Sequence, residues 1–243
     1  MKTGTTSPER VVSPDTTRTA RPGLRRWQVM MLALLGAVGG AYGALAAGMV
    51  YLRWLRPPTT MVQAQRRVES WFAPGPYRKQ TEWRPLAQLG RRLPHAVIAA
   101  EDTGFYEHEG IDWDELEKAF QERRRGGMRG ASTISQQLVK NLYFTTHRNP
   151  VRKIAEFALV PALETILPKD RILELYLNVV EWGPGVYGAE AAARYHYRTS
   201  AARLTRDQAS RLAAILPAPR RRNPARAGRY AAIVQQRMSA LGW

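Results

Sequence analysis

The sequence predicts a mainly α-helical protein that begins with one N-terminal transmembrane helix. Residues 27–52 contain no charged side chain, and the rest of the chain shows apolar residues at helical spacing with few alternating β-branched runs. A length of 243 residues fits one catalytic domain and an attachment segment. The absence of cysteine excludes disulfides and thiolate metal sites, and the net charge of +17 favours an anionic partner: nucleic acid, anionic lipid or a phosphorylated substrate.

The first element is the apolar run at residues 27–52, which exceeds the roughly 20 residues that a membrane-spanning helix needs. Its ends carry residues typical of interfacial anchors, namely Arg25, Arg26 and Trp27 on one side and Tyr51, Arg53 and Trp54 on the other. A cleaved signal peptide remains an alternative because residues 44–47 are alanine-rich, although its apolar region normally spans only about 7–15 residues.

Charge on either side of this run predicts the topology. Residues 1–26 carry six Lys and Arg, whereas the twenty residues after Leu52 carry four, which favours a cytoplasmic N-terminus. We therefore expect a disordered cytoplasmic tail at 1–26, the transmembrane helix at 27–52, broken by Pro57 and Pro58, a membrane-proximal linker at 53–79 and a catalytic domain at 80–243.

The next informative segment is residues 101–110, which read E-D-T-G-F-Y-E-H-E-G and follow an apolar helical stretch. Glu101 lies three and four residues after Ile98 and Val97, so on a helix it shares their apolar side. Burial there would raise the pKa of the carboxyl and suit it to general acid or base chemistry. An inert, solvated helix end is the alternative.

Two short features follow. Asp112 with Glu115 has the spacing of a helix N-cap, while Asp112 and Asp114 also match the D-x-D tripeptide that holds a metal in many sugar-nucleotide transferases; we favour the cap. Residues 123–130 are basic and glycine-rich, which predicts a mobile loop, either solvated or in contact with an anionic lipid or polymer.

Residues 130–137 predict a helix start that is rich in neutral hydrogen-bonding groups. Thr133 and Gln136 have the capping-box spacing, and Leu138, Val139 and Leu142 supply the apolar side. More small polar side chains are present than a cap requires, which indicates a site for sugar hydroxyls or phosphate oxygens. The candidates are Ser132, Thr133, Ser135, Gln136 and Gln137, with Lys140 and Asn141 one turn later.

A second helix start gathers cations. Pro150 suits a first helical turn, and Arg148, Arg152 and Lys153 lie near that start, where the helix dipole disfavours positive charge. An anion is therefore expected there. Glu156 is one turn from both Arg152 and Lys153. The alternative to a functional role for Glu156 is an ordinary intrahelical ion pair with these residues.

The remaining elements read as scaffold. Residues 169–178 are predicted to form an amphipathic helix with Tyr176 on its apolar face. Residues 182–188 predict a tight glycine loop that leads into an alanine-rich helix, and Thr205 with Gln208 a capping box before a helix that Pro217 ends. Because the chain has neither a Rossmann nor a P-loop glycine pattern, we expect no nucleotide cofactor.

Together these segments resemble the peptidoglycan glycosyltransferases of glycosyltransferase family 51 over about residues 80–220. The five motifs occur in order, as E-D-x-x-F-x-x-H-x-G at 101–110, G-x-S-T-I-x-Q-Q at 130–137, R-K-x-x-E at 152–156, K-x-x-I-L-E-x-Y-L-N at 169–178 and the glycine loop with its alanine helix at 183–197. Ser135 replaces the usual threonine, and His196 and Tyr197 replace the common Tyr-Phe pair. The chain length predicts the monofunctional, membrane-anchored form.

The resemblance implies a lysozyme-like, two-lobed fold and polymerisation of lipid II into glycan strands with inversion and release of undecaprenyl diphosphate. Glu101 would be the general base on the acceptor 4-hydroxyl, and Glu156 would orient groups or assist the leaving diphosphate. The implied substrate-binding residues are Asp102, Ser132, Thr133, Gln136, Gln137, Lys140, Asn141, Arg148, Arg152 and Lys153. No protein metal site and no obligatory cofactor are expected; a divalent cation, Mg²⁺ or Mn²⁺, on the donor diphosphate is left open.

The implied partners are lipid II, the growing lipid-linked glycan, membrane lipids and other cell-wall synthesis or division proteins, without nucleic acid. The implied location is the bacterial inner membrane, with one pass and the catalytic domain on the periplasmic face. Two alternatives remain: a lytic transglycosylase or muramidase, which the cation cluster argues against, and a non-catalytic membrane-tethered module that binds anions.

Overall fold

The computed structural model describes residues 25–124, 130, 132–147 and 149–243, and the expected mainly α-helical class is confirmed within them. Most of the predicted N-terminal tail, the centre of the predicted basic loop, and Arg148 lie outside the described residues. The helices are α1 Arg26–Leu52, α2 Met61–Glu69, α3 Arg92–Glu101, α4 Trp113–Arg124, α5 Ile134–Tyr143, α6 Pro150–Ile166, α7 Lys169–Val179, α8 Ala189–Tyr197, α9 Arg206–Ile215 and α10 Gly228–Ala240.

Helix α1 is long and apolar enough to cross a membrane, with a mean hydropathy of 1.9 over its best 18 residues. The part of α1 up to Ala41 belongs to a unit of its own, and its large apolar side chains are exposed, as Met30 is at 72%. Exposure of an apolar surface of this extent is typical of a helix that contacts lipid.

From Tyr42 onward the chain forms a second compact unit, and the last turns of α1 belong to its core. Met49 and Leu52 are buried, and the Arg171 guanidinium of α7 donates to the carbonyl oxygens of Leu52 and Leu55, each at 2.8 Å. These donors satisfy carbonyls that a helix end leaves free. The helix therefore ends at Leu52, before the proline pair at 57–58 that the sequence indicated as its break.

The core has two main packing groups. Helices α3, α9 and α10 pack against one another, and α5 packs against α2, α6 and α7. The stretch of α3 from Leu93 to Ala100 is buried except for half-exposed His95, and Tyr176 of α7 is fully buried between the neighbouring helices. The end of α3 and the start of α5 therefore lie where the two groups meet.

A small sheet of β1 Gln80–Thr81, β2 Glu181–Gly183 and β3 Val186–Tyr187 completes the unit. The strand order is β1-β3-β2, with β1 parallel to β3 and β2 antiparallel to it. Most of the predicted glycine loop at 182–188 is therefore strand, because β2 and β3 form a hairpin whose turn is residues 184–185. Gly185 has φ +75°, and a Cβ there would lie 2.5 Å from the Arg78 carbonyl oxygen, so only glycine fits.

Several helix starts follow the sequence predictions. The Glu115 N–H donates to Asp112 Oδ1 at 2.8 Å, so Asp112 caps α4. Thr205 and Gln208 form a reciprocal capping box before α9, and Pro150 occupies the first turn of α6 behind Asn149, which caps it.

Candidate active site

Glu101 is the last residue of α3 and is half-buried at the end of its apolar side. Burial raises the pKa of the Glu101 carboxyl, and a hydrogen bond from Gln137 and the charge of Lys140 oppose that rise. The Gln137 amide nitrogen donates to Glu101 Oε2 at 2.7 Å. The result is a carboxylate that is partly desolvated yet held in one orientation, as general base chemistry requires.

Tyr176 fixes the orientation of the Gln137 side chain. Its hydroxyl donates to Gln137 Oε1 at 2.9 Å, which leaves the amide nitrogen to face Glu101. The sequence assigned Tyr176 to the apolar face of its helix, and its ring is indeed fully buried. The signal that was missed is the hydroxyl, because a buried tyrosine hydroxyl usually has a hydrogen-bond partner.

Asp102 connects the end of α3 to the start of α5. It is buried, its Oδ1 accepts from His108 Nε2 at 2.8 Å, and its Oδ2 accepts from the Ile134 N–H at 2.9 Å. Gly110 N–H donates to His108 Nδ1 at 2.9 Å, so the imidazole proton lies on Nε2. Both Asp102 oxygens are therefore engaged in holding Glu101 beside α5.

Asp102, His108 and Asp112 are also a group whose ligand atoms lie within 4.8 Å of one another. They do not fit a metal site as arranged. The Asp102 oxygens and both His108 nitrogens are taken by the hydrogen bonds just described, and Asp112 Oδ1 caps α4, which leaves Asp112 Oδ2 as the unengaged oxygen among these atoms.

A second group, the Glu156 cluster, consists of Lys140, Arg152, Lys153 and Glu156. Glu156 is 3% exposed and lies 3.1 Å from Arg152 NH1 and 3.5 Å from Lys153 Nζ. Burial lowers the pKa of Lys140, while the charges of Glu156 and Glu101 raise it. Three cations around one buried carboxylate leave a net positive charge for an anionic ligand.

Within this cluster, hydrogen-bonding capacity remains for a ligand. Arg152 NH1 donates to the Thr145 carbonyl oxygen at 2.9 Å, but Arg152 Nε and Glu156 Oε1 are buried without a hydrogen-bond partner among the described residues. The Arg152–Glu156 contact is thus a close ion pair without hydrogen-bond geometry. Unsatisfied buried polar atoms are rare and often mark a place where a ligand or water binds.

Lys153 links the Glu156 cluster to the start of α5. Its Nζ lies 3.3 Å from both Ser132 Oγ and Gln136 Oε1. The predicted capping box is therefore only half correct: Thr133 Oγ1 accepts from the Gln136 N–H at 3.2 Å, but the Gln136 side chain turns to Lys153. The lysine charge competes for this amide oxygen more strongly than a neutral backbone N–H would.

Two predicted polar residues of α5 face inward. Asn141 is buried and its amide donates to the Gln137 carbonyl oxygen at 2.7 Å, and buried Ser135 donates to the Glu164 carboxylate. Thr133 donates to the Gly110 carbonyl oxygen at 2.6 Å as well as capping α5. These contacts hold the start of α5 in place, while exposed Ser132 lines the open space beside Glu101.

Glu101 opens into a cleft of about 1230 Å³. Ser132, Thr133 and Gln137 line it beside Glu101. Five exposed arginines that the sequence reasoning missed also line the cleft. Arg237 donates to the Ala99 and Ala100 carbonyl oxygens, and we call the other four the arginine wall: Arg221, Arg222, Arg226 and Arg229. The available signal was composition, because residues 208–243 contain seven arginines and no acid.

Comparison with known proteins agrees with this geometry. A family model described as Transglycosylase matches residues 67–241. Proteins named "Biosynthetic peptidoglycan transglycosylase" are similar to the chain: one from Pseudomonas aeruginosa is 48% identical over 196 residues, which is 79% of this chain and 84% of that protein. Those from Ectopseudomonas mendocina and Pseudomonas syringae pv. syringae are 46% identical over 204 residues (82% and 84%) and 43% identical over 222 residues (88% and 94%).

Proposed function

The chain belongs to the transglycosylase family, and on that premise we propose that it polymerises lipid II into linear peptidoglycan strands. The reaction is an inverting glycosyl transfer that releases undecaprenyl diphosphate. One observation carries the proposal: α5 holds Gln137 against Glu101 and, three residues later, Lys140 in the Glu156 cluster. Residues three apart on a helix lie about 5–6 Å from each other, so a base and an anion site flank one reacting sugar.

Glu101 acts as the general base. The acceptor 4-hydroxyl gives its proton to the carboxylate as its oxygen attacks the donor anomeric carbon. Burial raises the pKa of Glu101, which makes the carboxylate a stronger base, while the Gln137 hydrogen bond and the Lys140 charge favour its ionised form. A base so tuned contributes about 10²–10⁴ in rate.

The Glu156 cluster stabilises the leaving diphosphate. Negative charge grows on this group as the glycosidic bond breaks, and Lys140, Arg152 and Lys153 provide preorganised positive charge. Arg148 would join them by its position in the sequence. Glu156 holds Arg152 and Lys153 in place, and its charge also favours the cationic form of Lys140.

No resident metal enters this mechanism. A divalent cation such as Mg²⁺ or Mn²⁺ would bind to the donor diphosphate itself and add to the charge neutralisation there. The Asp102, His108 and Asp112 side chains serve instead to position the end of α3 and the starts of α4 and α5.

Helix α1 anchors the enzyme in the inner membrane with the catalytic domain on the periplasmic face. The excess of Lys and Arg before residue 27 supports this orientation. A reporter enzyme fused after Trp243 should be active only when it functions outside the cytoplasm. Activity of a cytoplasm-specific reporter at that position would contradict the orientation.

The direct test is incubation of the detergent-solubilised full chain with lipid II, with the products sized on a gel. We expect a ladder of glycan polymers from the wild type and none from Glu101→Gln. A lytic transglycosylase would instead release soluble fragments from purified cell wall and leave lipid II unchanged. That outcome would replace polymerisation by cleavage, whereas indifference to Glu101 would point to anion binding alone.

A further inference from the structure

The arginine wall forms no ion pair with an acid in the part of the chain that the structure describes. Arg221, Arg222, Arg226 and Arg229 come from the segment between α9 and the first turn of α10, and all four side chains are exposed. Among the described residues, none of them has a carboxylate within 4 Å. Their neighbours differ, because Arg211 pairs with Asp207 at 2.7 Å and Arg220 lies 3.6 Å from Glu69.

Two contacts hold the wall in place. Arg222 NH1 donates to the Ala214 carbonyl oxygen at 3.0 Å, and its guanidinium lies over the Tyr230 ring. Arg229 lies in the first turn of α10, where the helix dipole disfavours a cation and no acid compensates. Four like charges gathered on one face of a cleft indicate an anionic ligand that neutralises them on binding.

Reaction geometry places the acceptor beside this wall. In an inverting transfer the attacking oxygen approaches the anomeric carbon opposite the leaving group. The leaving diphosphate belongs to the Glu156 cluster, so the acceptor lies on the other side of Glu101, in the cleft that the arginines close. The charged groups of the acceptor are its own diphosphate and the carboxylates of its stem peptide.

The arrangement of the cations decides between these two groups. The arginine wall is spread over residues 221–229, between α9 and the first turn of α10, and both helices pack on α3. A diphosphate carries its charge on two adjacent phosphates, whereas the carboxylates of a stem peptide are spaced along an extended chain.

We propose that the arginine wall binds the carboxylates of the acceptor's stem peptide and selects acceptors by that charge. This inference rests on the proposed polymerase function. A guanidinium pairs with a carboxylate through two parallel hydrogen bonds, and cations spread over residues 221–229 suit carboxylates spaced along a peptide better than one compact diphosphate.

The test compares two lipid II substrates that both keep the diphosphate: one with free stem carboxylates and one with these converted to amides. The full-length variant carries Arg221→Gln, Arg226→Gln and Arg229→Gln and keeps Arg222, whose contacts are structural. A matched variant removes the same charge outside the cleft through Arg78→Gln, Arg91→Gln and Arg203→Gln. Rates are measured in neutral detergent, so that no anionic lipid competes.

We expect the wall variant to raise KM about tenfold for the free-carboxylate substrate and less than twofold for the amidated one, with kcat unchanged. The matched variant should change neither value. Arg226→Gln alone should show a smaller KM increase with the same selectivity, which keeps the test valid if the triple variant folds poorly.

An equal rise in KM for both substrates would assign the wall to the diphosphate and overturn the inference, as would an unchanged KM for both. In either case the wild type still polymerises lipid II and the proposed function stands. A wild type that makes no polymer from either substrate would overturn the proposed function itself, and this inference with it.

Discussion

Replacement of Tyr176 by phenylalanine tests how the candidate base is held. The hydroxyl of Tyr176 donates to Gln137 Oε1 at 2.9 Å, and the Gln137 amide nitrogen in turn donates to Glu101 at 2.7 Å. Phenylalanine keeps the buried ring and removes only the hydroxyl. Without the hydroxyl, nothing from residue 176 holds the Gln137 oxygen, so the amide can rotate. Its nitrogen then faces Glu101 for only part of the time, which weakens the hydrogen bond to the carboxylate.

The expected fall in activity follows from the free energy that one neutral hydrogen bond contributes. A net contribution of about 0.5–1.5 kcal/mol corresponds to about a 2- to 13-fold fall in kcat/KM if the bond is made in full in the transition state. The same loss should lower the thermal midpoint by about 2–4 °C per kcal/mol for a domain of this size. The effect is modest because Glu101 itself remains.

The pH dependence separates this role from simple destabilisation. The Gln137 hydrogen bond opposes the burial that raises the pKa of Glu101. A weaker hydrogen bond lets that pKa rise further, so the base stays protonated to a higher pH. The acid limb of the pH profile of kcat/KM should therefore move to higher pH in Tyr176→Phe.

Tyr197→Phe is the matched control, because the buried Tyr197 hydroxyl has no hydrogen-bond partner among the described residues. It should leave both the rate and the acid limb unchanged. If Tyr176→Phe lowers the thermal midpoint but leaves the acid limb where it is in the wild type, Tyr176 supports the fold and does not tune Glu101.

Three further changes test other parts of the structure. Glu101→Gln should reduce polymerisation by about 10²–10⁴ and raise the thermal midpoint at neutral pH. Because burial raises the pKa of Glu101 above its ordinary value of 4.5, ionisation of this carboxyl destabilises the folded wild type as the pH rises above 4.5. The variant does not ionise, so its thermal midpoint in calorimetry should exceed that of the wild type at neutral pH and should not exceed it below pH 4.5. Lys153→Met should lower the single-turnover rate at saturating lipid II by about 10²–10³; recovery of the full rate with added substrate would remove its leaving-group role. Gly110→Ala should destabilise the fold by about 1–3 kcal/mol in a denaturant titration, because the glycine has φ +88° and a Cβ would lie 2.4 Å from Val160, whereas Gly104→Ala has room and should fold normally.

Local patterns in the sequence were sufficient for most of the helices, though not for α2 and α10, and for one ion-pair group. The apolar spacing before Glu101 predicted the end of α3, and the position of Glu156 one turn after Arg152 and Lys153 predicted their ion pairs. Both follow from helical geometry alone, since residues three or four apart share a face. The caps at Asp112 and Thr205 followed for the same reason.

Contacts between distant segments could not be predicted in this way. Asp102 reaches Ile134 across 32 positions and Tyr176 reaches Gln137 across 39, so their roles depend on how α3, α5 and α7 pack. The arginine wall faces Glu101 only because α9 and α10 pack on α3. Sequence spacing carries no information on such contacts until the packing is known, which is why Tyr176 was read as core and the wall was missed.

The pKa values of half-buried Glu101 and Lys140 depend on each other, and substrate binding should change that of Glu101. Lys140 lowers the pKa of Glu101, and Glu101 raises that of Lys140, against burial in both cases. A diphosphate bound at the Glu156 cluster brings negative charge beside Lys140, which offsets the lysine's effect on Glu101 and raises the pKa of the carboxyl. Glu101 should thus be a stronger base with donor bound than without it. The acid limb of kcat reports the complex and that of kcat/KM reports the free enzyme, so the kcat limb should lie at higher pH. Coincident limbs would show that the cation group and the base act independently, and α5 would then serve only to position them.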